Sequence, residues 1–399
     1  MKKPDLSVVV VHHRGLDHLL ESLAGIEVSS RGPEIETLLV DNTGGADLSE
    51  VAKRFPGVRR VPAPGNVGFA AGCRLGAEAA NAPSLAFVND DAVVEPSALP
   101  ALASALDGAP ADVAAVAGRL TDRDGSRNDF SDGFLTFDGH AFADDVGRPL
   151  ARLKEATPGE ERLFASGGLM AVRRETFLAT GGFDDHYFAY LEDVDFGWRQ
   201  WILGSRVVAE PRAVARHRGG ATGEALGVFA RGFLYEKNAF ATAFKNFDRE
   251  HFEALMPAIL AAFLGRIAEM LATRNPGAGE LERDPYRSAK GRGALAVLFG
   301  ISERADAAVR VEDPLTVAHL RALLWIRRNR ESLAARRREV QKRRRRTDAE
   351  IFSKFPLRIV KTYPGDEQFD TPFFAEFLAG GPRLVRATLD EIFEAGARP

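Results

Sequence analysis

The first 120 residues alternate short apolar runs with longer segments in which apolar residues recur every three to four positions. Strands are predicted at 6–11, 36–40, 58–61, 85–88 and 113–117, with helices at 16–24, 69–80 and 97–106. Strands separated by helices of about ten residues are typical of βαβ units, which pack into a mainly parallel sheet. The pattern therefore predicts an α/β fold whose ligands bind at the carboxyl ends of the strands.

Beyond Gly118 the alternation of strands and helices is lost. Residues 121–148 are rich in Gly and Asp and predict loops and hairpins, and a helix is predicted at 192–203. From about residue 226 the pattern is helical, with a polar loop at 273–293. We therefore divide the chain into an α/β domain, 1–225, and a helical C-terminal region, 226–399.

The composition is that of a globular protein. With 45% hydrophobic and 27% charged residues in 399 positions, the chain is neither disordered, nor collagen-like, nor a coiled coil. Its single cysteine, Cys73, allows no intrachain disulfide and is expected to be a buried apolar residue in a reducing compartment. The apolar runs 8–11 and 254–264 are too short for a signal peptide and a membrane span, respectively, so we expect a cytoplasmic chain, dissolved or attached to a surface.

Charge is distributed unevenly along the chain. The net charge of -3 includes a segment, 321–346, with 12 Arg or Lys and two Glu. This basic helix is predicted at about 314–346, because Asp313 is a favourable N-cap and Pro314 a favourable first helical residue. A tail rich in phenylalanine follows it: Phe352, Phe355, Phe369, Phe373, Phe374, Phe377 and Phe393.

Three explanations of the basic helix are open. With the apolar side chains beside it and the Phe-rich tail, it could hold the chain on anionic lipid at the inner face of the plasma membrane, each cation contributing about 1 kcal/mol. It could instead pair with the acidic remainder of the chain or with a second subunit. Nucleic-acid binding is disfavoured, because nothing else in the sequence indicates base readout.

Acidic and amide side chains follow two of the predicted strands. Asn89-Asp90-Asp91 comes directly after 85–88, and two adjacent carboxylates call for a cation such as Mg²⁺ or Mn²⁺ unless they are solvated or cap a helix. Asp41-Asn42 follows 36–40 and could accept hydrogen bonds from a nucleotide or form an Asx-turn. Both segments are candidates for the ligand-binding edge of the sheet.

Gly68 and Gly72 open a predicted helix that carries Arg74 shortly after its start. Backbone N–H groups at a helix start and a guanidinium can together bind phosphate. The spacing differs from the dinucleotide-binding G-x-G-x-x-G, and the chain has no G-K-[ST] P-loop. Neither of those two nucleotide sites is therefore expected.

The segment 192–195 has three acids in four positions at a predicted helix start. The helix dipole stabilises such anions, which alone would explain them as caps. Aromatic residues directly upstream favour a sugar or apolar ligand, and an ionised carboxylate could take a proton from an attacking hydroxyl. His217 follows a short apolar run and is a candidate metal ligand or a structural histidine.

Taken in order, these motifs resemble family 2 glycosyltransferases of the GT-A fold, in particular the bacterial rhamnosyltransferase-like branch that builds cell-envelope polysaccharides. The resemblance covers about residues 5–220, so it implies a GT-A catalytic domain at 1–225. Its motifs are Val8–Val11 with His12-His13-Arg14, Val40-Asp41-Asn42, Asn66-Val67-Gly68-Phe69 with Gly72, Phe87–Asp91, Gly167-Gly168, Gly182-Phe183-Asp184, Glu192–Asp195 and His217.

The resemblance implies a site for a nucleotide diphosphate sugar. Asp41 would read the base, with Asn42 and Asp90 beside the nucleotide. The other residues it places along the nucleotide sugar are Gly68, Gly72 and Arg74.

The resemblance also implies which residues bind the metal ion and which residue is the catalytic base. Asp91 would bind Mg²⁺ or Mn²⁺ in the family's D-x-D motif, whose first acid is here replaced by Asn89. His217 would complete the metal shell, as in some members. Asp193 of the Glu192-Asp193 pair would be the catalytic base.

The expected reaction is transfer of a sugar, with inversion, to a hydroxyl of a cell-envelope glycan or polyprenyl-linked saccharide. Rhamnose from dTDP-rhamnose is favoured by resemblance, and UDP-galactose and UDP-glucose stay open, as do the acceptor and the oligomeric state. A sugar-phosphate nucleotidyltransferase is one alternative, although its Gly-rich loop after the first strand is replaced by His12-His13-Arg14-Gly15. A non-enzymatic glycan- or lipid-binding module is the other, and it would leave Asp193 without a role.

Overall fold

The computed structural model describes residues 3–30, 32–218, 221–274 and 311–393, with the backbone alone at 221–225. The predicted polar loop 273–293 lies almost entirely outside these residues. The strands are β1 Leu6–His12, β2 Ile35–Asp41, β3 Arg59–Pro62, β4 Ser84–Val88, β5 Ala92–Val94, β6 Val113–Thr121, β7 Asn128–Phe130, β8 Gly133–Leu135, β9 Ala141–Ala143, β10 Glu161–Arg162, β11 Leu169–Arg173, β12 Arg206–His217, β13 Arg358–Ile359 and β14 Val385–Arg386.

The helices match the predicted segments closely. They are α1 Leu16–Ser29, α2 Ser49–Arg54, α3 Gly68–Ala79, α4 Ala98–Gly108, α5 Arg174–Ala179, α6 Glu192–Ile202, α7 Ala221–Asn246, α8 Arg249–Arg274, α9 Pro314–Arg343, α10 Asp348–Lys354, α11 Pro372–Leu378 and α12 Leu389–Ile392. Asp313 caps α9 as expected, its side chain accepting from the Thr316 N–H. The proposed domain boundary near 225 falls inside α7, and the division into two domains stays a prediction.

The main sheet has the strand order β10-β12-β6-β11-β4-β1-β2-β3, with β5 beside β12 and β7 beside β6. Strands β3, β2, β1 and β4 are parallel, which confirms the α/β prediction. The antiparallel strand β11 then separates β4 from β6. The sheet is therefore mixed, because β11 enters from the irregular segment after β6 rather than through a crossover helix.

Both faces of the sheet are buried. Val8 and Val10 of β1 belong to the core on the α1 and α4 side, whereas Val9 and Val11 belong to the core on the α3 side. This is the period-2 alternation of a strand covered on both faces. Cys73 lies in the second core and is buried, as expected.

The C-terminal helices pack back onto the α/β part of the chain. Helix α7 packs along α9 and contacts α6. Five of the tail phenylalanines are internal: Phe352 contacts Trp198, Phe355 contacts Trp201, Phe369 and Phe374 contact Phe137, and Phe393 is buried with Phe134. Phe373, which is 74% exposed, is an exception. Most of the tail therefore belongs to the protein core and is not available to a membrane.

The arginines at the end of the basic segment bind the C-termini of three other helices. Arg337 Nη1 donates to the Phe247 carbonyl at 2.7 Å, just past α7. Arg343 donates to Ala179 O of α5 at 3.3 Å, and Arg346 to Gly204 O, just past α6, at 3.0 Å. Helix C-termini present unsatisfied carbonyls and a negative dipole end, which cations stabilise. Internal pairing thus explains Arg337, Arg343 and Arg346, and a lipid contact of the other cations of the segment stays a prediction.

One helix of the described chain is long and apolar enough to cross a membrane, although we expected no such segment. It is α8, whose apolar side chains continue beyond the run 254–264 that the sequence singled out. In its most apolar window, 44% of the residues are buried inside the protein, as in the core helix of a soluble protein. The helix by itself is therefore weak evidence for a membrane span.

Buried ion pairs join α6 to α7. Lys245 Nζ lies 2.8 Å from both Asp184 Oδ2 and Asp195 Oδ1, and all three side chains are buried. Arg199 also pairs with Asp195, at 2.8 Å. Burial by itself would raise the pKa of Asp184, but Lys245 and its other partners hold that pKa far below its ordinary value. These two acids are therefore structural anions.

We predict that Lys245→Met lowers the free energy of unfolding by about 3–5 kcal/mol, because it leaves two carboxylates buried without their shared cation. Chemical denaturation followed by tryptophan fluorescence measures the loss. The control is Lys361→Met, which removes an exposed pair with Asp370 and should change stability little. Equal losses in the two variants would contradict the structural role of Lys245.

Candidate functional site

The ends of three parallel strands bring the predicted polar residues to one edge of the sheet. His12 and Asp41 are register partners at the ends of β1 and β2. Asn89 directly follows β4, which pairs with β1 on its other side. The sequence prediction that these segments share one edge is thereby confirmed.

The adjacent carboxylates of Asp90 and Asp91 contact different histidines. Asp90 Oδ2 lies 2.6 Å from His12 Nδ1, and Asp91 Oδ1 lies 3.1 Å from His217 Nε2. Burial raises the pKa of Asp90 despite His12. Burial also acts to raise the pKa of Asp91, but the hydrogen bond and charge of His217 lower it overall. Asp91 is therefore the stronger anion and the better cation ligand.

A third carboxylate orients His217. Strand β12 pairs with β5 so that His217 lies opposite Ala92, next to Asp91. Its Nδ1 lies 2.6 Å from Asp129 Oδ2 on β7. Burial disfavours the charged imidazole, but Asp129 and Asp91 raise the pKa of His217 to about 10. Sequence reasoning missed Asp129, because nothing in its local pattern indicates a contact with a residue 88 positions away.

Asp193 is linked to the same edge by a two-glycine segment. Its Oδ2 accepts from the Gly167 N–H at 2.8 Å, and Oδ1 accepts from the Val194 N–H at 2.8 Å. The next carbonyl, Gly168 O, accepts from the Asn89 N–H at 3.1 Å. Since Asn89 immediately precedes Asp90 and Asp91, the two acidic segments border one region.

The pKa values of Glu192 and Asp193 are both raised, but to different extents. Burial and the charge of Asp193 raise the pKa of Glu192 well above its ordinary value, and its Oε2 is buried without a hydrogen-bond partner. Burial also raises the pKa of Asp193, but backbone N–H groups oppose that rise. Of the two acids, Glu192 is therefore the one whose pKa is raised more strongly.

The backbone that leads into this pair is strained. Phe188, Tyr190 and Leu191 have φ of 66°, 71° and 64°, a left-handed conformation that non-glycine residues rarely adopt. Asn238 of α7 stabilises it by donating from Nδ2 to three carbonyls, those of Tyr187 (3.1 Å), Ala189 (2.9 Å) and Tyr190 (2.7 Å). The C-terminal region thus helps to position Asp193.

Lys237 supports the same loop. Its Nζ donates to the His186 carbonyl at 2.6 Å and lies 4.6 Å from the ring centre of Trp325 on α9. Burial lowers the pKa of Lys237 to about 7. Neither Lys237 nor Asn238 was foreseen, since the resemblance stops near residue 220.

Asp41 forms the Asx-turn that the sequence left open. Its Oδ1 accepts from Thr43 N at 3.1 Å and from Thr43 Oγ1 at 2.6 Å, and its Oδ2 pairs with Arg60. Burial opposes ionisation, but these bonds lower the pKa of Asp41 overall. Asn42 Oδ1 accepts from the Val67 N–H at 2.7 Å and so fixes the entry into α3.

The candidate phosphate-binding residues lie along α3. Gly68 has φ +83° and lies against the Phe188 carbonyl, where a Cβ would not fit. A Cβ on Gly72 would lie 2.6 Å from Val11 Cγ1, so this glycine lets α3 pack closely on β1. Arg74 Nη2 pairs with Asp185 Oδ2 at 2.6 Å. A phosphate role for these three residues stays a prediction.

A hollow of about 540 Å³ opens beside Asp91. Three cations are among its lining residues: Arg123, Arg216 and Arg218. Arg218 donates its backbone N–H to the Asp91 carbonyl at 3.2 Å. The hollow therefore gives access to Asp91 from the side of α1.

A different cluster with metal-ligand chemistry lies where α8 and α10 begin. Asp248, His251 and Asp348 bring ligand atoms within 4.8 Å of one another. Their polar atoms serve as helix caps: Asp248 Oδ2 accepts from Asp348 N at 2.9 Å, and Asp248 Oδ1 from His251 N at 2.9 Å. Because these acceptors are already satisfied within the protein, we assign the cluster a structural role.

Comparison with known proteins agrees with the sequence motifs. Residues 7–179 match the model of the family Glycosyl transferase family 2. Two curated proteins named N-acetylglucosaminyl-diphospho-decaprenol L-rhamnosyltransferase, from Mycobacterium tuberculosis strains CDC 1551 / Oshkosh and ATCC 25618 / H37Rv, are each 30% identical over 241 residues. The alignment covers 55% of this chain and 78% of each relative.

Solved structures are similar at lower identity. The mannosyltransferase PcManGT from Pyrobaculum calidifontis, in complex with GDP-Man and Mn²⁺, is 16% identical, with a TM-score of 0.45 over 81% of this chain and 87% of its own. GalNAc-T7 with UDP, GalNAc and Mn²⁺ is 16% identical, with a TM-score of 0.48. That match covers 65% of this chain and 51% of the other, so the chain spans about half the length of that structure.

The motifs along β1, β2, β4 and α6 meet at one edge of a mixed α/β sheet, and the mycobacterial relatives align over more than three quarters of their length. The chain therefore belongs to family 2 of the glycosyltransferases, in its rhamnosyltransferase-like branch and with the GT-A fold.

Proposed function

We propose that this glycosyltransferase moves a sugar from a nucleotide diphosphate sugar to a hydroxyl of a lipid-linked saccharide, with inversion and with the help of a divalent metal ion. The name of the mycobacterial relatives favours rhamnose as the sugar and a GlcNAc diphosphate lipid as the acceptor. The observation that carries the proposal is the link from Asp193 through Gly167-Gly168 to Asn89, which borders the acid pair Asp90-Asp91.

Asp193 is proposed as the catalytic base. The acceptor oxygen forms a bond to the anomeric carbon, its proton passes to the Asp193 carboxylate, and the bond from that carbon to the diphosphate oxygen breaks, releasing the nucleoside diphosphate. A single displacement of this kind inverts the anomeric carbon. Burial raises the pKa of the neighbouring Glu192 strongly, which disfavours a second negative charge beside the base.

The residues around Asp91 fit a divalent ion that displaces the proton from His217 Nε2, since a histidine ligand must be neutral. Asp91 offers a carboxylate oxygen, and Asp129 holds the His217 ring so that Nε2 faces Asp91. In metal sites, a histidine ligand commonly donates its other ring N–H to a carboxylate. Mg²⁺ or Mn²⁺ bound there would neutralise charge on the departing diphosphate.

We expect Asp193→Asn to lower kcat by about 10²- to 10⁴-fold, because the amide cannot accept the proton. Transfer from dTDP-rhamnose to a GlcNAc diphosphate lipid measures the loss, and calorimetry with the donor should show nearly unchanged binding. The matched variant is Glu192→Gln, which replaces a neutral acid by a neutral amide and should lose much less activity. If Asp193→Asn lost donor binding together with transfer, Asp193 would be structural.

The pH dependence follows from the raised pKa of Asp193. A base must be ionised, so kcat/KM should fall as the pH drops through that pKa, which lies above the ordinary aspartate value of about 3.9. The rate profile between about pH 4 and 9 measures this limb, with fluorescence reporting that the chain stays folded. Full activity down to the ordinary aspartate pKa would contradict the assignment.

We expect Asp129→Asn to weaken Mn²⁺ binding by about 10- to 100-fold, because His217 loses the carboxylate that orients it. Titration of the protein with Mn²⁺ alone, followed by electron paramagnetic resonance, measures this without turnover. The control is Asp124→Asn, an exposed acid on the nearby β6–β7 turn. Equal Mn²⁺ affinity in both variants would exclude Asp129 from the site.

A further inference from the structure

One face of α7 runs outward from the loop that holds Asp193. Val228, Arg231, Tyr235 and Asn238 are spaced by three, four and three residues, so they share one side of the helix. Asn238 bonds the Tyr190 carbonyl at 2.7 Å, which places this end of the face beside the base. Arg231 is about 6 Å further along the helix than Tyr235, on the scale of one sugar ring.

Tyr190 and Tyr235 line the end of this face that lies nearer Asp193. The rings of Tyr190 and Tyr235 lie 4.8 Å apart with an interplanar angle of 31°. Among the described residues their hydroxyls make no hydrogen bond, and neither is fully enclosed. Burial, the neighbouring tyrosine and Asp193 raise the pKa of Tyr235, whereas Arg231 lowers it, so these groups are neighbours. Tyrosine rings with free hydroxyls suit a sugar, which has both apolar and hydroxyl surfaces.

Arg231 is half-buried and has no ion pair or hydrogen bond within the described part of the chain. Elsewhere the protein pairs its buried guanidinium groups, as Arg199 with Asp195 and Arg266 with Asp366. A partly desolvated guanidinium costs free energy unless an anion meets it, and its fork geometry matches phosphate. Arg231 is therefore suited to bind an anion, about one helical turn from Tyr235.

Val228 continues the face beyond Arg231, and Phe229 lies beside it, about 100° further around the helix. Val228 is 51% exposed and Phe229 is 40% exposed. Phe229 stacks on Phe233, with ring centres 6.5 Å apart, and Phe233 packs against Phe263 of α8 and Ala322 of α9. The outer end of the face is therefore an accessible apolar surface on a rigid support.

We infer that this face of α7 is the acceptor site, which takes a sugar joined through a diphosphate to a prenyl chain. The sugar lies on Tyr190 and Tyr235 beside Asp193, the diphosphate on Arg231, and the first prenyl unit on Val228. The order of these surfaces along the helix matches the order of the chemical groups in such a molecule. This inference rests on the proposed function, because it assigns the second substrate of the same reaction.

The test compares two acceptors that share a sugar. One is a short-chain GlcNAc diphosphate prenol, and the other is an alkyl glycoside of GlcNAc without the diphosphate. Arg231→Gln should raise KM for the diphosphate acceptor by roughly 10- to 100-fold, the effect of losing hydrogen bonds to a charged group. KM for the glycoside and for the donor should not change. Tyr235→Leu should raise KM for both acceptors, whereas Tyr235→Phe, which keeps the ring, should raise it less.

The matched control is Arg249→Gln, which removes a cation that is 89% exposed at the start of α8. An unchanged ratio of the two acceptor KM values in Arg231→Gln would overturn the inference. If the wild-type chain transfers no sugar, the proposed function fails. In that case calorimetry measures the affinity of the diphosphate prenol for the wild-type chain and for Arg231→Gln without any transfer reaction. Equal affinities would overturn the proposed acceptor site.

Discussion

The backbone between Phe188 and Leu191 is the constraint on which the site depends. Three left-handed residues that are not glycine cost of order 1–3 kcal/mol each, so the conformation must be held from outside. Asn238 holds it through three carbonyls, and Gly68 leaves room for the Phe188 carbonyl against α3. The helix that carries Asp193 therefore starts where both the α/β sheet and the C-terminal helices fix it.

The buried acids at and near the start of α6 differ in the groups that they contact. Asp184 and Asp195 meet Lys245 and are fixed as anions, so they stabilise the junction of α6 and α7. Within the described part of the chain, Asp193 accepts hydrogen bonds from backbone N–H groups alone, and Glu192 Oε2 has no hydrogen-bond partner. An acid with a weakly compensated charge can accept a proton, whereas an acid neutralised by a lysine cannot. The same environment thus separates the ion-paired Asp195 from Glu192 and Asp193, which have no cationic partner among the described residues, within four positions.

The C-terminal region packs against the helices that position the site and helps to hold them in place. Arginines of the basic segment bind the C-termini of α5, α6 and α7, and the phenylalanines of the tail fill space against Trp198, Trp201 and Phe137. The sequence left lipid binding and internal pairing open for this segment. Carbonyl groups at helix ends, which no sequence pattern marks as neighbours, explain the positions of Arg337, Arg343 and Arg346.

The sequence by itself determined the α/β pattern and the edge shared by His12, Asp41 and Asn89, because periodicity and strand ends are local properties. It also indicated Asp91, Asp193 and His217 through their resemblance to a known family. Tertiary structure alone decided that Asp129 orients His217, that Asn238 holds the loop before Glu192, and that Arg231 lies near Tyr190. These contacts join residues about 40 to 90 positions apart, and chain packing, which leaves no local pattern, brings them together.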